Sequence, residues 1–237
     1  MIDDQLTKRL VKLLHRDLLV DLYAVTVARA REAYEIIEDT PLEGKSARAA
    51  EGQIRFRLLE QAFQKTCEQY GAAVRESGVI EGTDLRFFQP LARFAEADEA
   101  GVVLGMASMP GKGEMPSKNQ SRLSGASMNY HITPRLALDK SDPRPGDIYV
   151  LFLVARDRAE AGAIQEVAIG IIGPEYENFV FYEALDEFWA RYVTADKAED
   201  VSPAPKEKLV KLKTKPNIYK PPGQDGKKDK KEDGSSS

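Results

Sequence analysis

The first seventy residues carry the apolar spacing of two amphipathic helices. Over residues 4–39, leucines and valines recur at intervals of three and four residues, with charged side chains between them; this period is typical of a helix with one buried face. Pro41 and Gly44 interrupt the pattern, and Ser46 is a suitable N-cap for a second helix over residues 47–70. The predicted buried face of this second helix is Ala50, Ile54, Leu58, Ala62 and Phe63. A short connection between two such helices predicts an antiparallel hairpin.

From residue 101 the period changes, and the pattern predicts strands. The runs are short, rich in β-branched and aromatic residues, and separated by turn residues. They read "GVVLGMAS", "SMNYHITPRLALD", "GDIYVLFLVARD", "IQEVAIGIIG" and "ENFVFYEAL". Most connections are too short for crossover helices, which favours antiparallel pairing. A helical pattern, "YEALDEFWARYV", closes this region. The predicted fold is therefore α+β, with an N-terminal helical hairpin packed on a mainly antiparallel sheet and a disordered basic C-terminal tail.

Composition divides the chain into three predicted parts. Residues 1–98 form the helical N-terminal part, and residues 99–200 form the sheet with its closing helix. Residues 201–237 are rich in Pro, Lys, Gly and Ser, and we expect them to be disordered. The net charge of −4 is unevenly distributed: residues 101–140 carry five bases against two acids, residues 141–200 five against thirteen, and residues 201–237 ten against five. A basic loop and a basic tail thus flank an acidic body.

Composition also limits the class of protein. The 237 residues are 42% apolar and 30% charged, and their longest apolar stretches are too short to cross a bilayer. The N-terminus lacks the features of a signal peptide, so we expect a cytoplasmic protein with no membrane partner. The single cysteine, Cys67, lies in a helical pattern, which favours a buried structural thiol over a nucleophile. With one cysteine and two histidines, no zinc site and no cofactor are predicted.

The stretch "GVVLGMASMPGKGEMPS", residues 101–117, resembles the start of a phosphate-binding P-loop. Two positions break that motif: Met106 stands where the first glycine belongs, and Gly113 replaces the hydroxyl residue after Lys112. The residues that follow, "GEMPSKNQSRLSG", do not predict a helix whose amides could hold phosphates. We therefore expect no binding of a nucleoside triphosphate.

The loop over residues 110–126 carries the main functional prediction. Loops of this length are usually functional or mobile, and this one combines bases with small hydrogen-bonding side chains. Flexible backbone, positive charge and small donors suit contacts with a nucleic-acid backbone. The sequence thus predicts a protein associated with DNA or RNA, as a subunit of a larger complex. The predicted phosphate contacts are Lys112, Lys118, Arg122 and Arg135. The alternative is a solvated loop whose lysines contact nothing.

Two other functions stay open. In a non-enzymatic protein-interaction module, the long helix and the acidic sheet surface would dock a protein partner. In a metal-dependent nuclease, Asp147 would supply one acid, and Glu166 or the pair Glu175 and Glu177 another, although the expected lysine is missing after each. His131 is a weak candidate for general acid–base work. Whether the protein is an enzyme is therefore left open by the sequence.

Overall fold

The computed structural model describes residues 2–79, 84, 86–96, 99–132 and 146–199. The helices are α1 (Ile2–Leu13), α2 (Arg16–Glu38), α3 (Gly44–Gln69), α4 (Gln120–Ser127) and α5 (Leu185–Glu199), with a short 3-10 helix at Met128–His131. The strands are β1 (Ala73–Arg75), β2 (Gly78–Val79), β3 (Arg86–Phe87), β4 (Leu91–Phe94), β5 (Val102–Met109), β6 (Ile148–Arg156), β7 (Ile164–Ile172) and β8 (Phe179–Ala184). In its described residues, the predicted N-terminal part, residues 1–98, thus contains four short strands besides its helices.

The N-terminal helices follow the predicted pattern with two differences. The stretch predicted as one helix is divided into α1 and α2 near Leu14, whose carbonyl accepts a hydrogen bond from the Tyr192 hydroxyl. α2 and α3 pack along each other as the expected hairpin. The buried face of α3 is Glu51, Leu59, Ala62, Phe63, Thr66 and Cys67. It is offset by about one residue from the predicted face, so Ile54 and Leu58 are only half-buried.

Among the described residues, the main sheet has six strands in the order β1-β4-β5-β6-β7-β8, and β2 and β3 form a separate ribbon. Every neighbouring pair is antiparallel except β5 and β6, which are parallel over eight residue pairs. The predicted α+β fold, with helices on a mainly antiparallel sheet, is thus confirmed. The prediction of a strand over residues 127–139 is wrong in its described part. Residues 128–131 form a 3-10 helix directly after α4, so the chain has the crossover that a parallel pair requires.

Both faces of the sheet are buried. Helices α1, α2, α3 and α5 cover one face, where Leu10, Leu18, Phe152, Ile169 and Phe188 belong to one core cluster. α4 and the loops around it cover the other face, where a second cluster includes Tyr149, Leu151, Leu153 and Ala126. Burial on both faces explains why the central strands read as continuous apolar runs instead of alternating ones.

A polar network closes the sheet at the amino end of the parallel pair. Asp147 precedes β6 and accepts hydrogen bonds from Arg93 Nε at 2.6 Å and from the Gly101 amide at 2.6 Å. Arg9 of α1 donates to the carbonyls of Gly101 and Gly146 at 2.7 and 3.1 Å. Burial raises the pKa of Asp147, but these hydrogen bonds and the two arginines outweigh it and hold that pKa below its ordinary value.

Three further predictions concern Cys67, membrane-spanning helices and the C-terminal tail. Cys67 is buried, and burial raises the pKa of its thiol to about 12, as suits a structural cysteine. None of the helices in the described part is long and apolar enough to span a bilayer. The predicted tail, residues 201–237, lies outside the described residues.

Candidate functional site

Lys112 occupies the turn after β5, and its charge is already paired. The Lys112 ammonium lies 3.0 Å from Oε1 of Glu166, a carboxylate that is only 8% exposed. The ion pair with Glu166 raises the pKa of Lys112, and the more distant Asp186 and Glu187 add to that effect. The other Glu166 oxygen accepts from the Tyr182 hydroxyl. Lys112 therefore faces an acidic neighbourhood, which weakens its attraction for a phosphate.

The "GKG" turn is bound to the sheet. The Gly113 amide donates to the Tyr182 hydroxyl at 3.0 Å, with Gly113 in the left-handed region at φ 71°. No helix begins directly after Lys112; the next one, α4, begins at Gln120. The backbone that a P-loop would aim at phosphates is here turned toward a tyrosine of β8.

Lys118 and Arg122 lie together around Tyr176. The Lys118 ammonium is 5.8 Å from the centre of the Tyr176 ring. Arg122 is only 8% exposed and donates from Nη2 to Ser117 Oγ at 3.2 Å, while its Nε has no hydrogen-bond partner among the described residues. Tyr176 donates its hydroxyl to the Pro116 carbonyl at 3.1 Å. Lys118 is thus exposed to solvent, whereas the Arg122 guanidinium is packed inside and cannot reach a phosphate backbone without rearrangement.

The predicted residues do not all come together. Lys112 pairs with Glu166 near the start of β7, whereas Lys118 contacts Tyr176, which follows the end of that strand. The strand between these two points spans roughly 20 Å at the usual rise per residue. The structure therefore brings Lys118 and Arg122 together and places Lys112 apart from them. Arg135 lies outside the described residues.

The acids of the nuclease alternative are also separated. Asp147 precedes β6, while Glu166 lies opposite Ala155 near the other end of β6. Eight residues of strand lie between them, roughly 25 Å, so these two carboxylates cannot hold one metal ion. Among the described residues, no group of three or more His, Cys, Asp or Glu side chains could hold a metal. The backbone of His131 lies in the 3-10 helix, and its side chain is outside the described part.

A cleft at the carboxyl end of the parallel strands brings three arginines together. Its volume is about 280 Å³, and it lies between α3 and the ends of β5 and β6. Arg55 comes from α3, Arg156 ends β6, and Arg158 follows in the turn toward β7. The remaining lining residues are Leu59, Ser108, Met109, Pro110 and Val154. We call this cavity the arginine cleft.

The charges of the arginine cleft are only partly compensated. Arg55 pairs with Glu51 at 2.8 Å, and Arg158 donates to the Pro110 carbonyl at 2.7 Å. Arg156 has neither an ion pair nor a side-chain hydrogen bond in the described structure. Burial lowers the pKa of Arg55; the Glu51 carboxylate opposes this effect, and the nearby charge of Arg156 adds to it more weakly. Three guanidinium groups thus line the cleft, and among the described residues only that of Arg55 is paired with a carboxylate.

Local backbone geometry fixes the cleft. The pairing of β6 and β7 shifts register between Ala155 and Arg156, and such bulges re-aim side chains at strand ends. In the following turn, the Asp157 carboxylate accepts from the amides of Ala159 and Glu160 at 2.7 and 3.1 Å. At Gly162, with φ at 74°, the backbone packs so closely on Tyr34 of α2 that a side chain would not fit. The bulge and the hydrogen-bonded turn therefore fix the backbone that carries Arg156 and Arg158.

Sequence reasoning missed these arginines. Arg55 is separated by a hundred residues from Arg156, and no local pattern joins them. The sequence shows part of the signal: "ARDR" places two arginines at the carboxyl end of a buried strand. The rule that ligands bind at this end applies to parallel strands, and the parallel pairing of β5 and β6 is not visible in the sequence.

Comparison of the chain with protein-family models, with curated proteins and with solved structures finds no match.

Proposed function

We propose that the protein binds nucleic acid through its phosphates and that the arginine cleft is the primary contact. The observation that carries the proposal is the convergence of Arg55, Arg156 and Arg158 with only Glu51 as a paired carboxylate. Guanidinium groups form bidentate hydrogen bonds with phosphate oxygens, and their fixed charge suits a polyanion. The uncompensated charge of Arg156 makes an anionic ligand favourable there.

The surface beside the cleft supports the same proposal. Arg48 is exposed and lies seven residues before Arg55, two turns along the same face of α3. The separation along the helix is about 10 Å, so a phosphate chain that leaves the cleft along α3 meets a further base. Ser108, which lines the cleft and is exposed, adds a hydroxyl donor. Lys118 is a separate, weaker contact in this proposal.

The test is fluorescence anisotropy with short single- and double-stranded DNA and RNA at low and physiological salt. The double variant Arg156→Gln/Arg158→Gln should weaken binding by about tenfold or more, or about 1.4 kcal/mol. Lys118→Gln should weaken it less. The matched control is Arg29→Gln/Arg31→Gln, which removes the same charge from two exposed, ion-paired arginines of α2. Absence of binding to every probe at low salt would refute the proposal.

A protein-interaction module is the second candidate. Tyr23 and Val27 lie one turn apart on α2, and each is 40% exposed. Trp189 of α5 stacks edge-on against Tyr23 with ring centres 5.7 Å apart, and its indole N–H is buried without an acceptor in the described structure. An apolar face of this kind suits a protein partner. If the protein binds no nucleic acid, this face becomes the leading site.

A further inference from the structure

The arginine cleft is closed on its inner side. Leu59 and Val154 form part of its lining and are each 4% exposed, because they also belong to the core between α3 and the sheet. Met109, which is 3% exposed, closes the end of β5. The arginines stand on three different elements around this apolar base. The cleft thus has an apolar base, and a ligand reaches the arginines from the solvent side.

From this geometry we propose that the arginine cleft takes the terminal phosphate of a nucleic-acid strand, a phosphate monoester, in preference to an internal phosphodiester. The inference rests on the proposed binding of nucleic acid and names the part of the ligand that the cleft holds. An internal phosphodiester continues as sugar on both sides, so it reaches the base of the cleft only if both neighbouring sugars enter with it. A terminal phosphate has one such connection.

The volume and charge agree with this choice. A volume of about 280 Å³ corresponds to roughly nine waters, which leaves room for a phosphate group and part of its sugar but not for a duplex. Three arginines line the cleft, whereas Glu51 pairs with Arg55 and Asp157 lies in the adjoining turn, so the local charge is positive. A phosphate monoester carries about −1.5 to −2 near neutral pH, whereas an internal diester carries one negative charge. The monoester therefore compensates the arginines more completely.

The mouth of the cleft provides a direction for the rest of the strand. Arg158 is held at the rim by the Pro110 carbonyl at 2.7 Å, and Arg48 extends the basic face of α3 away from Arg55. Bound by its end, a strand would lie along this face. Single-stranded ends and overhangs fit this arrangement better than a blunt duplex, because a duplex brings a second backbone against the rim.

The experiment compares one short single strand in three forms: with a 5′-phosphate, with a 3′-phosphate, and with hydroxyls at both ends. Each phosphorylated form carries its fluorophore at the opposite end. We expect at least one terminal phosphate to tighten binding to the full chain by about tenfold. Arg156→Gln, whose side chain is exposed and makes no described hydrogen bond, should abolish this preference. The control Arg31→Gln should retain it. AMP and inorganic phosphate compete in parallel measurements.

The outcomes separate the two proposals. Salt-dependent binding that Arg156→Gln/Arg158→Gln weakens, with equal affinity for all three strands, would leave the proposed function in place and overturn the preference for a terminal phosphate. Binding of AMP without binding of any strand would overturn both and assign the cleft to a free phosphate monoester. A preference for phosphorylated ends that persists unchanged in Arg156→Gln would place the terminal phosphate outside the arginine cleft.

Discussion

Removal of the Asn129 side chain should cost the fold several hydrogen bonds at once. Asn129 is fully buried in the 3-10 helix, and its Nδ2 donates to the carbonyls of Tyr149 and Ile172 at 2.9 Å each. Its Oδ1 accepts from the Tyr149 amide at 2.8 Å. The described pairing of β6 with β7 begins only at Leu151 and Gly170. The Asn129 amide therefore replaces a strand partner at this end of the sheet.

In Asn129→Ala, one buried amide and two buried carbonyls lose these partners. An unsatisfied buried polar group costs about 1–3 kcal/mol, and partial relaxation reduces the sum, so we expect a loss of about 3–5 kcal/mol. For a chain of this size the midpoint of thermal unfolding should fall by about 10 °C. Calorimetry and urea unfolding measure the change. Asn178→Ala, which alters an exposed loop, is the matched control. A loss below about 1 kcal/mol would refute the proposed role of Asn129.

Two further predictions concern titratable groups. The folded-state pKa of Asp147 lies below its ordinary value of 3.8, so its contribution to stability is complete above pH 3.8 and is lost as the pH falls through the folded pKa. When the free energy of unfolding is measured against pH, Asp147→Asn should reduce the loss of stability in this acid range. An unchanged dependence on pH would contradict the role of the Arg93–Asp147 pair. Burial raises the pKa of Cys67 to about 12, so iodoacetamide at neutral pH should label the native protein far more slowly than the urea-unfolded protein, and equal rates would show that the thiol is accessible.

The fold was predictable where burial leaves a regular apolar pattern. Large apolar side chains fill the core on both faces of the sheet. For this reason the leucine spacing predicted α1 and α2, and the β-branched runs predicted β5, β6 and β7. The break after α1 was not predictable, since the leucine spacing continues through Leu14 into α2. The tertiary contact from Tyr192 to the Leu14 carbonyl involves a residue far along the chain.

α4 was missed because it packs through small residues. Its buried positions include Ser121, Ser124, Gly125 and Ala126, so it has no apolar stripe to detect. A methyl group at Gly125 would overlap the ring of Tyr149, which shows how closely the helix backbone approaches β6. Because α4 was not predicted, the sequence showed no crossover connection between β5 and β6, and their parallel pairing could not be inferred.

The candidate site was the least predictable feature. The number of basic residues identified the loop at residues 110–126, but it does not show which of them form ion pairs or are buried. Lys112 forms an ion pair with the buried Glu166, and Arg122 is buried beside Tyr176. The arginine cleft depends on the parallel pair and on α3 crossing its carboxyl end. Both follow from tertiary packing, which the local sequence does not contain.

The salt dependence of binding tests the central claim most directly. For a single strand, the logarithm of the binding constant falls with the logarithm of salt concentration by about 0.7 for each neutralised phosphate. If Arg156 and Arg158 contact phosphates, the slope for Arg156→Gln/Arg158→Gln should be shallower than that of the wild type by about 1.4, whereas Arg29→Gln/Arg31→Gln should keep the wild-type slope. Identical slopes for the wild type and both variants would contradict phosphate binding in the arginine cleft.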